Sequence, residues 1–259
     1  MLATVNDLVE LLEELMPSNL AEDWDNVGLM LGRKGKTVKK ILLALDLSKE
    51  VVEQAVAQKI DLIITHHPAI FKKLKRVVDN DWQQDLLLTL AENGIAVYSA
   101  HTNLDCVSTG VNDVLAKLLK LEDTEILDDS NGLGRIGVVE ETSLAEYAQV
   151  VKTALKADYV VVGDAGKQVH KVAVCGGAGS DLIDLALAKG ADTLVTGDVK
   201  YHSAQQAVFS GLNIIDAGHQ STELPVLEKL ADRLSLRLVE RDMDVVVNVA
   251  KETLILRHV

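Results

Sequence analysis

The sequence predicts an α/β protein with largely parallel sheets, and three observations carry that prediction. Short apolar runs alternate along the chain with stretches of helical periodicity. One strand–helix–strand pattern occurs twice. The apolar runs also end repeatedly on histidines and acids, the place where parallel sheets gather ligands.

Taken in order, Val5, Leu8, Leu12 and Leu15 recur at helical spacing up to Pro17, with Asp7, Glu10, Glu13 and Glu14 between them. This is an amphipathic helix, and the acids argue against a leader peptide. Strands are predicted at Ile41–Leu45, Leu62–Thr65, Ile95–Ser99, Val172–Cys175, Thr193–Thr196 and Leu212–Ile215. Helices are predicted at 49–58, 82–92, 111–119, 144–157, 181–189, 203–209 and 222–234. The Asp128–Gly134 stretch, DDSNGLG, reads as a linker between a first domain, 1–127, and a second, 128–259. The tail segments LRLVER and ETLILRH read as two further strands that pair back onto either half.

The repeat is visible as a constant spacing. Lys40 and Lys171, Asp61 and Asp192, and Thr65 and Thr196 are each 131 positions apart, and the helical segments between them match in apolar positions. NGIAVYSAH resembles SGLNIIDAGH at a spacing near 117. Two halves of similar fold are expected, the first longer by the Pro68–Asp81 loop.

Composition bounds the function. The 259 residues carry a net charge of −13, which repels nucleic acid on average. The exception is FKKLKR, where Lys72, Lys73, Lys75 and Arg76 form either a solvated loop or an anchor for an anionic substrate. No apolar run is long enough to cross a bilayer. Cys106 and Cys175 form no metal-type spacing, so a reducing, cytoplasmic setting is expected.

The strand ends hold the chemistry. Asp46 follows the first main strand, where the expected role is a helix cap. His66 and His67 follow the second, and two adjacent imidazoles converge on one point only if the strand has ended. His101, Asn103 and Asp105 follow the third. Asp198 and His202 follow a later strand, and Asp216, His219 and Glu223 the last. His170 and His258 look incidental. His101-Thr-Asn-Leu-Asp105 and His219-Gln-Ser-Thr-Glu223 share the form His-x3-acid, which puts both groups on one face of a helix. Imidazoles and carboxylates together suit zinc, iron, manganese or nickel ions, and carboxylates can bridge two of them. The Cys175–Gly179 turn reads as tight helix packing, with phosphate binding on its N–H groups as the alternative.

DNVGL at Asp25–Leu29, THHPAIF at Thr65–Phe71, SAHTNLD at Ser99–Asp105, TGDVKYH at Thr196–His202 and GHQSTE at Gly218–Glu223 resemble, in order and over nearly the whole chain, the family called GTP cyclohydrolase 1 type 2 homologues, also described as NGG1-interacting-factor-like proteins. The chain looks like the family's short form, without an inserted central domain. The resemblance implies two interlocked α/β domains with a pair of divalent ions in the cleft between them, and a toroidal homohexamer. It implies His66, His67, Asp105, His219 and Glu223 as metal ligands. His101 and His202 match further family histidines and are expected to face substrate or move a proton. Two functions compete: a metal-dependent hydrolase acting on a nucleotide, phosphoester or cyclic amide-type bond, and a metal-handling or regulatory protein without turnover.

Overall fold

A computed structural model of the chain describes residues 2–256, so His258 lies outside the described residues. β1 (Ala3–Thr4) runs into α1 (Val5–Leu15), capped reciprocally by Thr4 and Asp7. β2 (Gly28–Leu31), β3 (Thr37–Val38), β4 (Lys40–Ala44), α2 (Lys49–Gln58), β5 (Leu62–Thr65), α3 (Trp82–Glu92), β6 (Ala96–Ser99) and α4 (Thr102–Cys106) follow. Then come α5 (Val111–Leu118), β7 (Glu122–Asp128), β8 (Leu133–Thr142), α6 (Leu144–Ala154), β9 (Val161–Gly163), β10 (Val169–Ala178), α7 (Ile183–Ala188), β11 (Thr193–Gly197), α8 (Tyr201–Phe209), β12 (Asn213–Asp216) and α9 (His219–Glu223). The chain closes with α10 (Pro225–Glu240) and β13 (Val246–Val249).

The chain divides into two compact units. The first runs through Val107 and takes in Leu227–Thr253; the second is built on Ser108–Val226. The first unit's sheet has the order β13-β4-β5-β6-β2, parallel except for β2. The second has the order β7-β8-β10-β11-β12-β9, with β10, β11 and β12 parallel and antiparallel strands outside them. The α/β fold with parallel central strands is therefore the one the apolar runs predict.

Several local readings differ. The first unit stops at Val107 and not at 127, because α5 packs on β8 and β10 and β7 pairs with β8. DDSNGLG is no linker: it is the turn of the β7–β8 hairpin, where Asp128 accepts from the Ser130 backbone and hydroxyl. Turns and linkers use the same residues, so composition alone did not separate them. LRLVER is the end of α10, not a strand, since Leu230, Leu234 and Leu238 are buried at helical spacing. ETLILRH forms no strand among its described residues. The last strand is β13, which pairs parallel with β4 from Val246↔Lys40 to Val249↔Leu43.

The repeat is physical. Ile41 pairs with Leu62 as Val172 pairs with Thr193, and Leu62 pairs with Ala96 as Thr193 pairs with Asn213. Asp61 accepts the backbone N–H groups of Lys39 and Lys40, and Asp192 accepts those of His170 and Lys171. The Lys40 ammonium donates to the Gln58 carbonyl and the Lys171 ammonium to the Lys189 carbonyl. Convergent patterning does not reproduce side-chain bonds in register, so the two units share one design. No helix among the described residues is long and apolar enough to cross a membrane.

Candidate metal centre

In the first unit the strand β5 ends at Thr65, and the turn that follows lets both histidines face one side. Their backbone N–H groups donate to the carbonyls of Ala44 and Leu45, which extends the β4 pairing past the strand end. His66 is buried, and its ring stands 5.0 Å from that of His67. The His101 ring is 5.3 Å from His66 and 5.7 Å from His67. Each of the three offers a nitrogen within 4.8 Å of the others'.

Their orientation is fixed from behind. His66 Nδ1 meets the Ala100 carbonyl at 2.9 Å, His67 Nδ1 meets Asp46 Oδ1 at 2.8 Å, and His101 Nδ1 meets Asp25 Oδ1 at 2.9 Å. Carbonyl and carboxylate oxygens only accept, so each Nδ1 carries a proton, and the tautomer that can ligate through this geometry is the one with its lone pair on Nε2. This is the arrangement that orients metal-binding histidines. Asp25 is fixed in turn by the Thr102 N–H and hydroxyl. Burial pushes its carboxyl up, but the bonds from His101 and Thr102 outweigh that and hold it well below the usual carboxylate range. Glu252 accepts from the N–H groups of Leu45 and Asp46, tying the C-terminal stretch to this turn. Burial raises the Glu252 carboxyl above the ordinary range despite those two bonds.

Asp105 lies in α4, buried, with Oδ1 3.6 Å from His66 Nε2. The His-x3-acid reading fails here. His101 is the residue before α4, outside the helix, and the imidazole that faces Asp105 belongs to His66.

In the second unit that reading holds. His219 opens α9 and Glu223 ends it, one turn on, with Nε2 3.3 Å from Oε2. His219 Nδ1 meets Asp198 Oδ2 at 2.8 Å. Asp198 adopts φ 54, uncommon for a residue with a side chain. Gly197 before it allows the close approach of α9: a Cβ there would lie 2.5 Å from the His219 nitrogen. The Cys175–Gly179 turn has a related task. A Cβ on Gly177 would lie 2.3 Å from Glu223 Oε1 and 3.2 Å from His219 Nε2. The turn therefore backs the two candidate ligands, and the N–H groups of Gly176, Gly177 and Gly179, which the phosphate reading would use, already donate to Asn112, Thr222 and Thr196.

These residues fit divalent ions. Two donors about 2.1 Å from a common ion lie about 3.0–3.5 Å apart at octahedral to tetrahedral angles, close to the His66–Asp105 and His219–Glu223 separations. A lone pair and a carboxylate oxygen at such distances repel unless a cation or proton lies between them, and burial sharpens that repulsion.

Of the residues the sequence singles out, His66, His67, His101, Asp105, His219 and Glu223 fall in groups that could hold an ion. Sequence reasoning gave Asp46 a capping role that belongs to Ser48, which accepts from the Val51 N–H. It gave Asp25 and Asp198 no role; an acid near a histidine in space but distant in sequence leaves no spacing to read. His202 stands apart, exposed on α8 with its ring against Tyr201, and no metal-capable group among the described residues includes it. Lys72, Lys73, Lys75 and Arg76 are exposed on the irregular segment between β5 and α3.

The comparisons with known proteins agree with one another. The family model for Duf34/NIF3 (NGG1p interacting factor 3) matches residues 3–253. A Clostridium perfringens relative called GTP cyclohydrolase 1 type 2 homolog is 37% identical over 255 residues, covering 96% of each chain. A solved Bacillus cereus protein related to NIF3 matches with a TM-score of 0.93 at 26% identity, covering 100% of both chains. Reduced HcgD from Methanocaldococcus jannaschii matches with a TM-score of 0.84 at 33% identity, covering 97% of this chain and 99% of its own.

Proposed function

We propose a metal-dependent hydrolytic function for this chain, which belongs to the Duf34/NIF3 (NGG1p interacting factor 3) family. One observation carries the reading: His66, His67 and His219 have their Nδ1 atoms bonded to a carbonyl or carboxylate, which turns each Nε2 toward a ligand, and His101 is held by Asp25 in the same way. Such rings are built to hold ions. His66, His67, Asp105, His219 and Glu223 are the proposed ligands of two divalent ions per chain. When bound, such ions polarise a carbonyl or phosphoryl oxygen and acidify water.

The chain's own residues do the rest. Asp25, Asp46 and Asp198 fix imidazole orientation and tautomer. His101, held by Asp25, keeps an Nε2 lone pair beside His66 and His67, and is the residue assigned to accept and return a proton. The substrate is a nucleotide, phosphoester or cyclic amide-type bond, in line with the name carried by the Clostridium perfringens relative. The family's toroidal homohexamer is proposed for this chain too, and light scattering checks it as a particle of six chain masses.

The test is to incubate metal-loaded protein with GTP, other nucleotides and simple phosphoesters and to identify products by mass spectrometry, with Glu223→Gln alongside. Product from wild type alone establishes a hydrolase. Two bound ions without any product would replace the hydrolytic reading with metal handling.

A further inference from the structure

The chain contains only two tryptophans and two phenylalanines. One of each stands beside the first-unit histidines, and both are exposed there: Trp24 at 61% and Phe71 at 47%. Their rings are 6.1 Å apart at 77°, and each also meets His101 edge-on, Trp24 at 6.1 Å and Phe71 at 6.4 Å. Three rings thus form a corner of nearly perpendicular walls. Trp82 and Phe209 are more exposed still; what marks Trp24 and Phe71 is that their rings meet one another and His101.

The corner is held in shape before anything binds. Asn26 Nδ2 donates to the Ile70 carbonyl at 2.5 Å, joining the loop of Trp24 to the loop of Phe71. The neighbour of Trp24, Asp25, is locked by His101 and Thr102. The Ala69 carbonyl, two residues before Phe71, accepts from Gln83 on α3. Four cations, Lys72, Lys73, Lys75 and Arg76, follow Phe71 on the same exposed segment of a chain that is otherwise acidic.

We propose that Trp24 and Phe71 form a stacking corner for the heteroaromatic base of a nucleotide, with the Lys72–Arg76 segment taking its phosphates. An aromatic wall recognises the π-face of a base, and exposed cations recognise phosphate charge. The base then rests against His101, which puts the substrate's polar end within reach of the histidine cluster. The proposal deepens the hydrolytic reading by naming its substrate class, but binding at this corner does not require turnover or metal.

The experiment uses GTP as probe on the full-length protein carrying Trp82→Phe, so that Trp24 is the one tryptophan reporter. Titrations are run with metal present and after chelation, so that loss of hydrolysis and loss of binding are read apart. GTP is expected to quench Trp24 saturably in both states. In the wild-type background, Phe71→Ala and Trp24→Ala are expected to weaken GTP binding, followed by calorimetry, about tenfold or more, while circular dichroism and metal content stay unchanged. Replacing Lys72 and Lys73 with Ala is expected to weaken it further at low salt than at high salt. Ribose 5-phosphate, which lacks a base, is expected to bind at least tenfold more weakly than GTP. Equal binding of ribose 5-phosphate, or unchanged affinity in both aromatic variants, would overturn the proposal. So would an oligothymidylate that binds far more tightly than GTP, since the corner would then serve single-stranded nucleic acid.

Discussion

Gly177 shows how much of the site depends on a side chain being absent. Its φ is 65, and a methyl group there would meet Glu223 Oε1 at 2.3 Å. Gly177→Ala is therefore expected to push Glu223 off its position while the sheet beneath survives. Metal analysis should show lost or weakened ions with far-UV dichroism unchanged; full metal content would mean that Glu223 is not a ligand. The carboxylates behind the imidazoles make a second, graded test. Asp46→Asn and Asp198→Asn keep the shape but remove the charge that fixes His67 and His219, and each is expected to weaken metal binding about 10- to 100-fold. Competition with a fluorescent chelator measures this. An unchanged affinity in both would show that these two histidines do not act through Nε2.

At the scale of elements, Asp61 and Asp192 clamp the start of a central strand in each unit by the same pair of backbone bonds. Losing charged acceptance of two N–H groups is expected to cost about 1–3 kcal/mol in Asp61→Asn, with a similar loss for Asp192→Asn. Urea titration reads both. Burial pushes the Asp61 carboxyl up, but the Lys39 N–H, the Lys36 ammonium and the Lys40 N–H hold it below its unperturbed 3.8. A folded value below the unfolded one means that this stabilisation is complete above about pH 4 and fades as the pH falls through the folded value. The gap between wild type and Asp61→Asn should accordingly shrink in acid; a gap that widens would refute the assignment. These clamps also explain why so much was legible in the sequence. α2 and α3 lie at the residues that their periodicity marks, and β5 has the bounds of its apolar run. What escaped included β2, β7, β8, β9 and β13: β7 and β9 are largely exposed and carry too little apolar pattern to register, and the apolar residues of β8 are interrupted by Gly134, Arg135 and Gly137. The Leu-Arg-Leu-Val alternation at the end of α10 imitated a strand because helix and strand periods coincide over so few residues. The candidate ligand histidines were legible because they cluster at strand ends, whereas Asp25 was not, because what ties it to them is a bond to His101, 76 residues away in sequence.

At the scale of the molecule, the candidate ligands stand outside the described apolar cores. One buried cluster, around Leu42, Ile63, Leu90 and Val97, lies wholly within the first unit. Two more, one around Leu115, Val151, Val172 and Ile215 and the other around Leu127, Ile183, Leu194 and Ile214, lie within the second. None of them includes His66, His67, Asp105, His219 or Glu223. Burial of this kind supports folding on its own in a chain of 259 residues. An ion bound at the proposed site would then add to stability by mass action: at about a hundred times its dissociation constant it contributes about 2.7 kcal/mol, or roughly 5–10 °C of melting temperature at this size. Chelation is therefore expected to lower the melting temperature by about that much while leaving a cooperative transition and an unchanged helix signal at 25 °C. Calorimetry with and without a chelator checks it. If the stripped protein lost its cooperative transition, the ions would be part of the fold, and the Glu223→Gln variant could no longer separate binding from catalysis.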